Sequence, residues 1–306
     1  MSTSAAAPAV PALPLAVLWR FGRPHTLVGT TTSVLALAAL ALDGAVAGAG
    51  TVVLHVAGTL AAALAVNVAI VGVNQVEDVE IDRVNKPGLP IPAGELSLAT
   101  ARRVVAAAAA IAVALALTQG AVELAAVTFA LAVGWAYSCP PVRLKRHPVA
   151  AAAAITVVRA GVVNLGVWWH LADALRAGDT AVAPGVWLLA ALTVPFGVAI
   201  AVLKDVPDLE GDRRHGITTF TVRLGPRRAL ALGTGALALA GLGTAIALPL
   251  LLPAPVALPA AALHVAAVAW MARRARTTHD VPAFYQAVWR LFFAEYLLVP
   301  LAFLIG

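Results

Sequence analysis

Nine long runs of apolar residues alternate with short stretches in which most of the charged residues lie. Each run approaches or exceeds the roughly 20 residues that an α-helix needs to cross the hydrocarbon core of a bilayer. We therefore predict nine membrane-spanning helices, over approximately 26–48, 51–73, 102–118, 121–138, 149–171, 184–203, 228–251, 255–272 and 289–305. Many runs are rich in Ala and Gly, and small side chains let membrane helices pack closely. The predicted fold class is an all-α membrane protein, a bundle of nine transmembrane helices around a central cavity.

The composition excludes a soluble protein and several kinds of site. Of the 306 residues, 61% are hydrophobic and only 12% are charged, whereas soluble domains carry roughly 25% charged residues. The single cysteine, Cys139, excludes a disulfide framework and is expected to be structural, and no His/Cys cluster has zinc-site spacing. The net charge of +6 does not indicate nucleic-acid binding, because basic and acidic residues are interleaved and no aromatic platform accompanies them.

The basic residues lie almost entirely at one end of the predicted bundle, and the positive-inside rule makes that end cytoplasmic. They are Arg20, Arg23, Arg83, Lys86, Arg102, Arg103, Arg143, Lys145, Arg146, Lys204, Arg213, Arg214, Arg223, Arg227, Arg228, Arg273, Arg274, Arg276 and Arg290. The opposite loops hold only Arg176, beside several acids. We predict a multi-pass protein of a bacterial inner membrane, with the N-terminus and long loops cytoplasmic and the C-terminus on the other side. Residues 1–12 lack a signal-peptide pattern and are expected to form a mobile tail before one transmembrane domain, 13–306.

Two acidic motifs follow the second and the sixth predicted spans. Asn74, Asp78 and Asp82 recur every four residues and share one face if the helix continues that far. The second set, Asp205, Asp208 and Asp212, has spacings of three and four and shares a face in the same way. Both motifs contain D-x-E-x-D-R, and the four spans between them return both to the same side. An internal pseudo-repeat that gathers two carboxylate clusters is therefore predicted.

Clustered carboxylates repel one another unless a cation joins them. Carboxylate and amide oxygens suit Mg²⁺, which shares its shell with substrate phosphates. Basic side chains nearby would bind the remaining phosphate oxygens: Lys86, Arg143, Lys145, Lys204 and Arg213. We predict a site for a metal-bound diphosphate with its apolar tail in the bundle. A single such motif is typical of solvated loop charges, and the second copy argues against that interpretation.

Among Lys, Arg, Asp and Glu, the two residues that lie clearly inside predicted spans and not near their ends are Arg159 and Glu295. Such residues usually face a cavity or a partner, so we predict that both line the cavity, with Asn164 joining the polar network of Arg159. Snorkelling or a structural ion pair remains the alternative.

Several residues near the span ends have two interpretations. Arg23 is predicted to bind diphosphate or an acceptor carboxylate, or else to anchor the first span, beside a structural His25. The three tryptophans Trp135, Trp168 and Trp169 are predicted either to flank a carbocation or to anchor and pack the helices.

Segments spread over nearly the whole chain resemble the UbiA superfamily of membrane prenyltransferases, in particular its homogentisate branch. They are 21–26 (FGRPHT), 74–92 with N-K-P-x-L-P, 137–146 (YSCPPVRLKR), 159–166, 204–225 with I-T-T-F, and 284–300. The resemblance implies nine helices around a laterally open cavity, Mg²⁺ dependence, and transfer of a prenyl group from its diphosphate to an aromatic ring. With homogentisate as acceptor, it implies that CO₂ is lost as well.

The resemblance also implies roles for particular residues. Both acidic motifs would bind metal and diphosphate, with Asp78, Asp82, Asp208 and Asp212 as the catalytic carboxylates. Tyr137 and either Lys145 or Arg146 fall where the family's loop approaches the diphosphate, although Pro140-Pro141 alters the spacing.

Three alternatives remain open from the sequence. A UbiA-type terpene cyclase would use the same metals without an aromatic acceptor. Another acceptor, such as a chlorophyllide, a dihydroxynaphthoate or a glycerol phosphate, would keep the transfer chemistry. A transporter of polyprenyl diphosphates or metal ions is disfavoured because the acids cluster at one end. Neither the acceptor nor the prenyl chain length is determined by these patterns.

Overall fold

The computed structural model describes residues 14–278 and 280–306, and these residues contain nine helices long and apolar enough to cross a membrane. In chain order, spans 1 to 9 are Pro24–Leu42, Ala49–Glu77, Leu98–Gln119, Ala121–Ser138, Pro148–Leu175, Pro184–Leu203, Pro226–Leu251, Ala254–Thr277 and Val281–Ile305. The predicted nine-helix membrane bundle is confirmed. The tail expected over 1–12 lies outside the described residues, and the single domain over 13–306 stays a prediction.

Three helices extend well beyond their apolar runs. Span 2 continues to Glu77, span 8 continues to Thr277, and span 9 begins at Val281 instead of near residue 289. An apolar run marks the hydrocarbon layer, whereas the helix continues wherever its polar side chains reach water or a cavity. Most of these extensions lie at the end where the basic residues lie, which we call the charged end.

Span 6 lies at the centre of the bundle. Of its apolar stretch, 72% is buried inside the protein, against at most 44% for any other described span. Its Phe196 packs in the main core cluster with Trp168 and Phe292. Gly197 allows close approach to span 5, because a Cβ there would lie 2.8 Å from the hydroxyl of Thr156. Span 6 therefore positions whatever follows it at the charged end.

Span 5 contains a ten-residue π-helical segment, Val157–Gly166, in which Arg159 and Asn164 lie. π-Helical segments are rare and are found frequently at functional sites. The side chain of Asn164 donates to the backbone carbonyl of Arg159 at 3.0 Å and accepts from the hydroxyl of Tyr296 at 2.9 Å. These bonds hold the segment against span 9.

Short elements cover the charged end. They are the helices Leu15–Phe21, Val79–Asn85, Leu209–Arg214 and Phe220–Leu224 and the 3₁₀ turn Leu144–Arg146. Two of them, Val79–Asn85 and Leu209–Arg214, carry the acidic motifs, so the two motif helices lie side by side at one end of the bundle.

Candidate active site

The first acidic motif lies where span 2 breaks and resumes. The helix ends at Glu77, Asp78 has φ −112°, and a second helix begins at Val79. The backbone N–H of Asp82 still donates to the carbonyl of Asp78 at 2.7 Å, and Nδ2 of Asn74 donates to the Asp78 carboxylate at 2.9 Å. The expectation of one continuous helix is therefore wrong, but Asn74, Asp78 and Asp82 still line the same wall of a cavity.

The second motif repeats this construction after span 6. The span ends at Leu203, a turn carries Lys204 and Asp205, and Asp208 precedes the helix Leu209–Arg214. Asp208 accepts from the backbone N–H of Asp212 at 3.0 Å, as Asp78 does from Asp82. The last carboxylate of each motif is buried. The pseudo-repeat seen in the sequence thus corresponds to two similarly built turns, not to two continuous helices.

The glutamate in the middle of each D-x-E-x-D-R sequence points outward. Glu80 forms an exposed ion pair with Arg83 at 2.5 Å, and Glu210 forms one with Arg214 at 2.7 Å. These two acids do not line the cavity. They therefore serve as matched controls for the inward carboxylates.

Asn85 holds the two motifs together. Its Nδ2 donates to the carbonyl of Asp208 at 3.0 Å, and its Oδ1 accepts from the backbone N–H of Gly211 at 2.9 Å. A Cβ at Gly211 would overlap the Asn85 amide, so glycine is required for this close approach. Lys86, the next residue, pairs with the Asp208 carboxylate.

The two motifs enclose a cavity of about 430 Å³ at the charged end, which we call the polar chamber. All six residues of the predicted metal set line it: Asn74, Asp78, Asp82, Asp205, Asp208 and Asp212. Five predicted diphosphate ligands line it too: Arg23, Lys86, Tyr137, Lys145 and Lys204.

Lysines from separate segments contact the carboxylates. Lys145, only 7% exposed, pairs with Asp78, and Arg143 lies 3.2 Å from the same carboxylate. The ammonium of Lys204 donates to the hydroxyl of Tyr137 at 3.0 Å and to Asp205 at 2.9 Å. Lys145 therefore supplies the loop lysine that the Pro140-Pro141 spacing left ambiguous.

Three predicted diphosphate ligands are absent from the chamber lining. One of them, Arg143, still reaches the Asp78 carboxylate. The other two, Arg146 and Arg213, are exposed. Each directly follows or precedes an inward residue, so its side chain points the opposite way, towards solvent. Their assignment to the diphosphate is corrected accordingly.

Two arginines at the site have unusual backbone conformations. Arg23 has φ 53° and Arg143 has φ 41°, among only three non-glycine residues with positive φ in the described chain. Such conformations cost on the order of 1–3 kcal/mol and cluster at functional sites. Arg23 directly precedes Pro24 at the start of span 1, and this turn brings its side chain to the chamber wall.

Burial shifts the acid–base properties of the site. Burial raises the pKa of Asp82 to about 6, against the opposing charges of Lys86 and Arg23. The pKa of Asp212 rises to about 7 because of burial and the neighbouring carboxylates of Asp205 and Asp208. Burial lowers the pKa of Lys145, although Asp78 opposes the shift. Asp82 and Asp212 therefore ionise less readily than exposed aspartates.

The donor set fits a magnesium ion that is completed by substrate. Among the described residues, no three His, Cys, Asp or Glu side chains lie close enough to form a cage, and several acids pair with lysines. Oδ2 of Asp82 and Oδ1 of Asp208 are buried and have no hydrogen-bond partner in the described chain. Mg²⁺ is usually bound by one or two carboxylates together with waters and substrate phosphates, which is what these free oxygens can supply.

A second cavity of about 290 Å³, the apolar chamber, lies among spans 2, 4 and 5 directly below the polar one. It is lined mainly by alanine, valine and isoleucine side chains, such as Ala63, Val127 and Val158. Six residues line both chambers: Arg23, His25, Asn74, Tyr137, Lys204 and Tyr285. A diphosphate on the polar side is thereby continuous with space for a hydrocarbon chain.

Arg159 lines the apolar chamber as predicted. Its guanidinium carbon lies 4.8 Å from the ring centroid of Trp289 and 5.6 Å from that of Phe292. Trp289 also packs edge-on against the ring of His25 at 4.9 Å. The sequence pattern did not single out Trp289 or Tyr285, because both belong to an apolar helix whose inward face is not marked by charge.

Glu123 is a third residue that the sequence did not single out. It lies at the end of span 4 opposite the acidic motifs, where the sequence assigns no site, but it is 2% exposed and lines the apolar chamber. Its helical distance from Tyr137 is 14 residues, or about 21 Å at 1.5 Å per residue. Glu123 therefore marks the end of the chamber farthest from the acidic motifs.

Two residues predicted at the cavity do not line it. Glu295, 3% exposed, lines neither chamber and pairs with His264 at 2.8 Å between spans 8 and 9, as in the structural ion pair that the sequence left open. Asn164 bonds to the backbone of Arg159, in line with its predicted place in that polar network, but it is fully buried and does not line the apolar chamber.

None of the three tryptophans chosen from the sequence lies at the chambers. Trp135 and Trp169 are 50% and 42% exposed on the outer face, and Trp168 is buried in the core. Their anchoring and packing interpretation holds, and Cys139 is buried outside both chamber linings.

Comparison with known proteins places this architecture in a family. The UbiA prenyltransferase family matches residues 27–295. Homogentisate phytyltransferase of Synechocystis sp. is 42% identical, covering 93% of this chain and 94% of the relative. Homogentisate solanesyltransferase of Arabidopsis thaliana is 35% identical, covering 92% of this chain and 75% of the relative.

Solved structures agree on the fold. A UbiA homologue from Aeropyrum pernix is 23% identical with a TM-score of 0.65, covering 92% of this chain and 98% of the other. A homologue from Archaeoglobus fulgidus, bound to GPP and Mg²⁺, is 18% identical with a TM-score of 0.63, covering 92% and 99%. From the family match, these identities and the shared nine-helix fold, the chain belongs to the UbiA prenyltransferase family and is a multi-pass membrane prenyltransferase.

Proposed function

We propose that this protein transfers a prenyl group from its diphosphate to homogentisate or a closely similar phenolic acid. The observation that carries the proposal is the junction of the two chambers. Six residues border both a carboxylate-lined cavity suited to a diphosphate and a hydrocarbon-lined cavity suited to its chain. The names of the relatives support homogentisate as the acceptor, while they include phytyl and solanesyl donors and leave the chain length open.

Asp78, Asp82, Asp208 and Asp212, with Asn74 and Asp205, would hold Mg²⁺, which when bound neutralises negative charge on the diphosphate. Solved relatives bound to Mg²⁺ support this assignment. The ammonium groups of Lys86, Lys145 and Lys204 line the same chamber. They would donate to diphosphate oxygens as charge accumulates on the leaving group.

The reaction takes place at the boundary of the chambers. The carbon–oxygen bond of the allylic diphosphate breaks, and its electron pair leaves with the diphosphate. The apolar walls around the allylic carbon exclude the water that would otherwise capture it. A ring carbon of the acceptor forms the new bond and then loses its proton. With homogentisate, the acetate side chain also loses CO₂ and takes up a proton, which leaves a methyl group.

The charge distribution supports the orientation of the site. Placing the basic end in the cytoplasm puts the polar chamber where soluble diphosphates are supplied. In a bacterial host the membrane would be the inner membrane.

The test is turnover of purified protein in lipid nanodiscs with homogentisate, geranylgeranyl diphosphate and Mg²⁺. We expect a prenylated ring by mass spectrometry, activity lost with EDTA and restored by Mg²⁺, and at least a ~100-fold loss in Asp78→Ala and Asp208→Ala. The matched control is Glu80→Ala, since Glu80 belongs to the same motif but points outward. Near-normal rates in either aspartate variant would refute the metal assignment. A hydrocarbon or terpene alcohol formed from the diphosphate alone would instead indicate a cyclase.

A further inference from the structure

We infer that Arg159 binds the carboxylate of the aromatic acceptor and thereby selects acids over neutral phenols. The inference deepens the proposed function and rests on it. It concerns the part of the apolar chamber where Arg159 stacks on Trp289.

Arg159 is a cation without an anionic partner. No carboxylate of the described residues lies within ion-pair distance of its guanidinium, whereas the inward lysines Lys86, Lys145 and Lys204 each have an aspartate. Taking a charge out of water is unfavourable unless a partner compensates for it. The cation–π contacts with Trp289 and Phe292 compensate only in part. The part of the desolvation cost that these contacts do not compensate favours an anionic ligand beside the Arg159 guanidinium.

The diphosphate is not that ligand. Arg159 does not line the polar chamber, where the acidic motifs and their lysines lie. An anion next to Arg159 must therefore belong to a molecule that enters the apolar chamber, and that molecule must be otherwise apolar. An aromatic ring with one carboxylate meets both conditions.

The position of Arg159 also suits the reaction. Trp289 contacts both the guanidinium of Arg159 and the ring of His25, and His25 borders both chambers. A carboxylate on Arg159 would place the attached ring along Trp289, directed towards the boundary where the allylic carbon emerges. Arginine is suited to this task because its planar fork binds a carboxylate through two parallel hydrogen bonds.

The backbone around Arg159 is held in place in advance. The bond from Asn164 fixes the Arg159 carbonyl, and Tyr296 on span 9 fixes Asn164. The guanidinium and the rings it stacks on thus belong to two helices that are already joined, which lowers the entropic cost of ordering the acceptor.

The experiment compares homogentisate with its methyl ester, in which the acid group carries no charge and cannot leave as CO₂. The rate of ring prenylation is therefore measured for both acceptors. Each acceptor is assayed with geranylgeranyl diphosphate and Mg²⁺ in wild type, Arg159→Met and Arg159→Lys. We expect wild type to prefer the acid, and Arg159→Met to lose about 100-fold in kcat/KM for the acid alone. The ester rate and the KM for the diphosphate should be unchanged, and Arg159→Lys should restore part of the preference for the acid.

The matched control is Arg274→Met, because Arg274 also stacks on a tryptophan, Trp270, at 5.5 Å but lies outside both chambers. It should leave the preference for the acid unaltered. Equal losses for acid and ester in Arg159→Met, or an unchanged preference, would overturn the inference and leave the proposed function standing. If wild type prenylates neither acceptor, the proposed function itself fails and the inference with it.

Discussion

At the scale of single residues, two titrating carboxylates dominate the site. Asp82 and Asp212 occupy equivalent positions in the two motifs, and burial raises their pKa values to about 6 and about 7. A metal ion binds the deprotonated carboxylate, so protons compete with Mg²⁺ over this pH range.

We predict that the apparent Mg²⁺ affinity of the purified protein rises by about tenfold or more from pH 5.5 to 7.5, measured by titration calorimetry. The sign follows from the pKa shifts, because both carboxyls are largely protonated at the lower pH and must lose protons to bind metal. Asp212→Asn should weaken binding and flatten this dependence. An affinity that does not change with pH would contradict the assignment of these two groups to the metal.

In the metal-free protein, the same raised pKa values make the folding stability fall as pH rises, whereas the Mg²⁺ affinity rises. A carboxyl with a raised folded-state pKa contributes stability that is complete below its unfolded-state pKa of roughly 4 and is lost as pH rises through its folded-state pKa. Metal-free protein should thus become less stable between about pH 4 and about pH 7, and Mg²⁺ should reduce the decline in the upper part of that range. When they are ionised, Asp82 and Asp212 destabilise the metal-free protein, and this favours the binding of Mg²⁺.

At the scale of elements, the site depends on the contact between two short helices. Val79–Asn85 and Leu209–Arg214 come from distant parts of the chain and meet through the amide of Asn85. Gly211 provides the space for that amide.

We expect Gly211→Ala to separate the two motif helices and to reduce turnover by more than tenfold, with a loss of about 1–3 kcal/mol in stability from overpacking. Turnover and thermal unfolding in nanodiscs would measure both effects. Gly243→Ala is the control, since no atom lies within 4 Å of the Cβ it would add. If both variants behave alike, the Asn85 contact does not hold the site together.

The sequence was sufficient to predict the features that depend only on nearby residues. Nine apolar runs predicted nine spans, because crossing a bilayer requires length and hydrophobicity alone. The spacing of Asn74, Asp78 and Asp82 predicted their common wall even though the helix breaks. The break itself was not predictable, since no proline or glycine marks Asp78.

The site residues that the sequence did not predict are those whose position depends on which way a helix faces. Arg146 follows Lys145 directly, and only the fold shows that the lysine is the inward residue. Trp289 and Glu123 line the apolar chamber without a distinguishing motif, because the lipid-facing and cavity-facing sides of a membrane helix are both apolar.

At the scale of the whole molecule, the outer helices are joined to the bundle by polar contacts that are not part of the chemistry. The pair between His264 and Glu295 links spans 8 and 9 in the membrane interior. Removing one partner of a buried pair leaves the other uncompensated, which costs about 3–5 kcal/mol.

We predict that Glu295→Ala lowers the unfolding temperature markedly, whereas Glu295→Gln, which keeps a hydrogen bond, lowers it less. Turnover per folded molecule should remain close to wild type in Glu295→Gln, because the side chain lies outside both chambers. Glu210→Ala, which breaks only an exposed ion pair, should change stability by less than about 1 kcal/mol. Loss of turnover in well-folded Glu295→Gln would contradict the placement of Glu295 outside the reaction site.

The junction of the two chambers also separates the products after the bond has formed. Inorganic pyrophosphate is released into water at the charged end, whereas the prenylated ring carries a hydrocarbon tail that dissolves in lipid. Each product then departs into a different phase, so their re-encounter at the boundary becomes rare. The enzyme would draw reactants from two compartments and return its products to the same two, which makes the reaction effectively one-way.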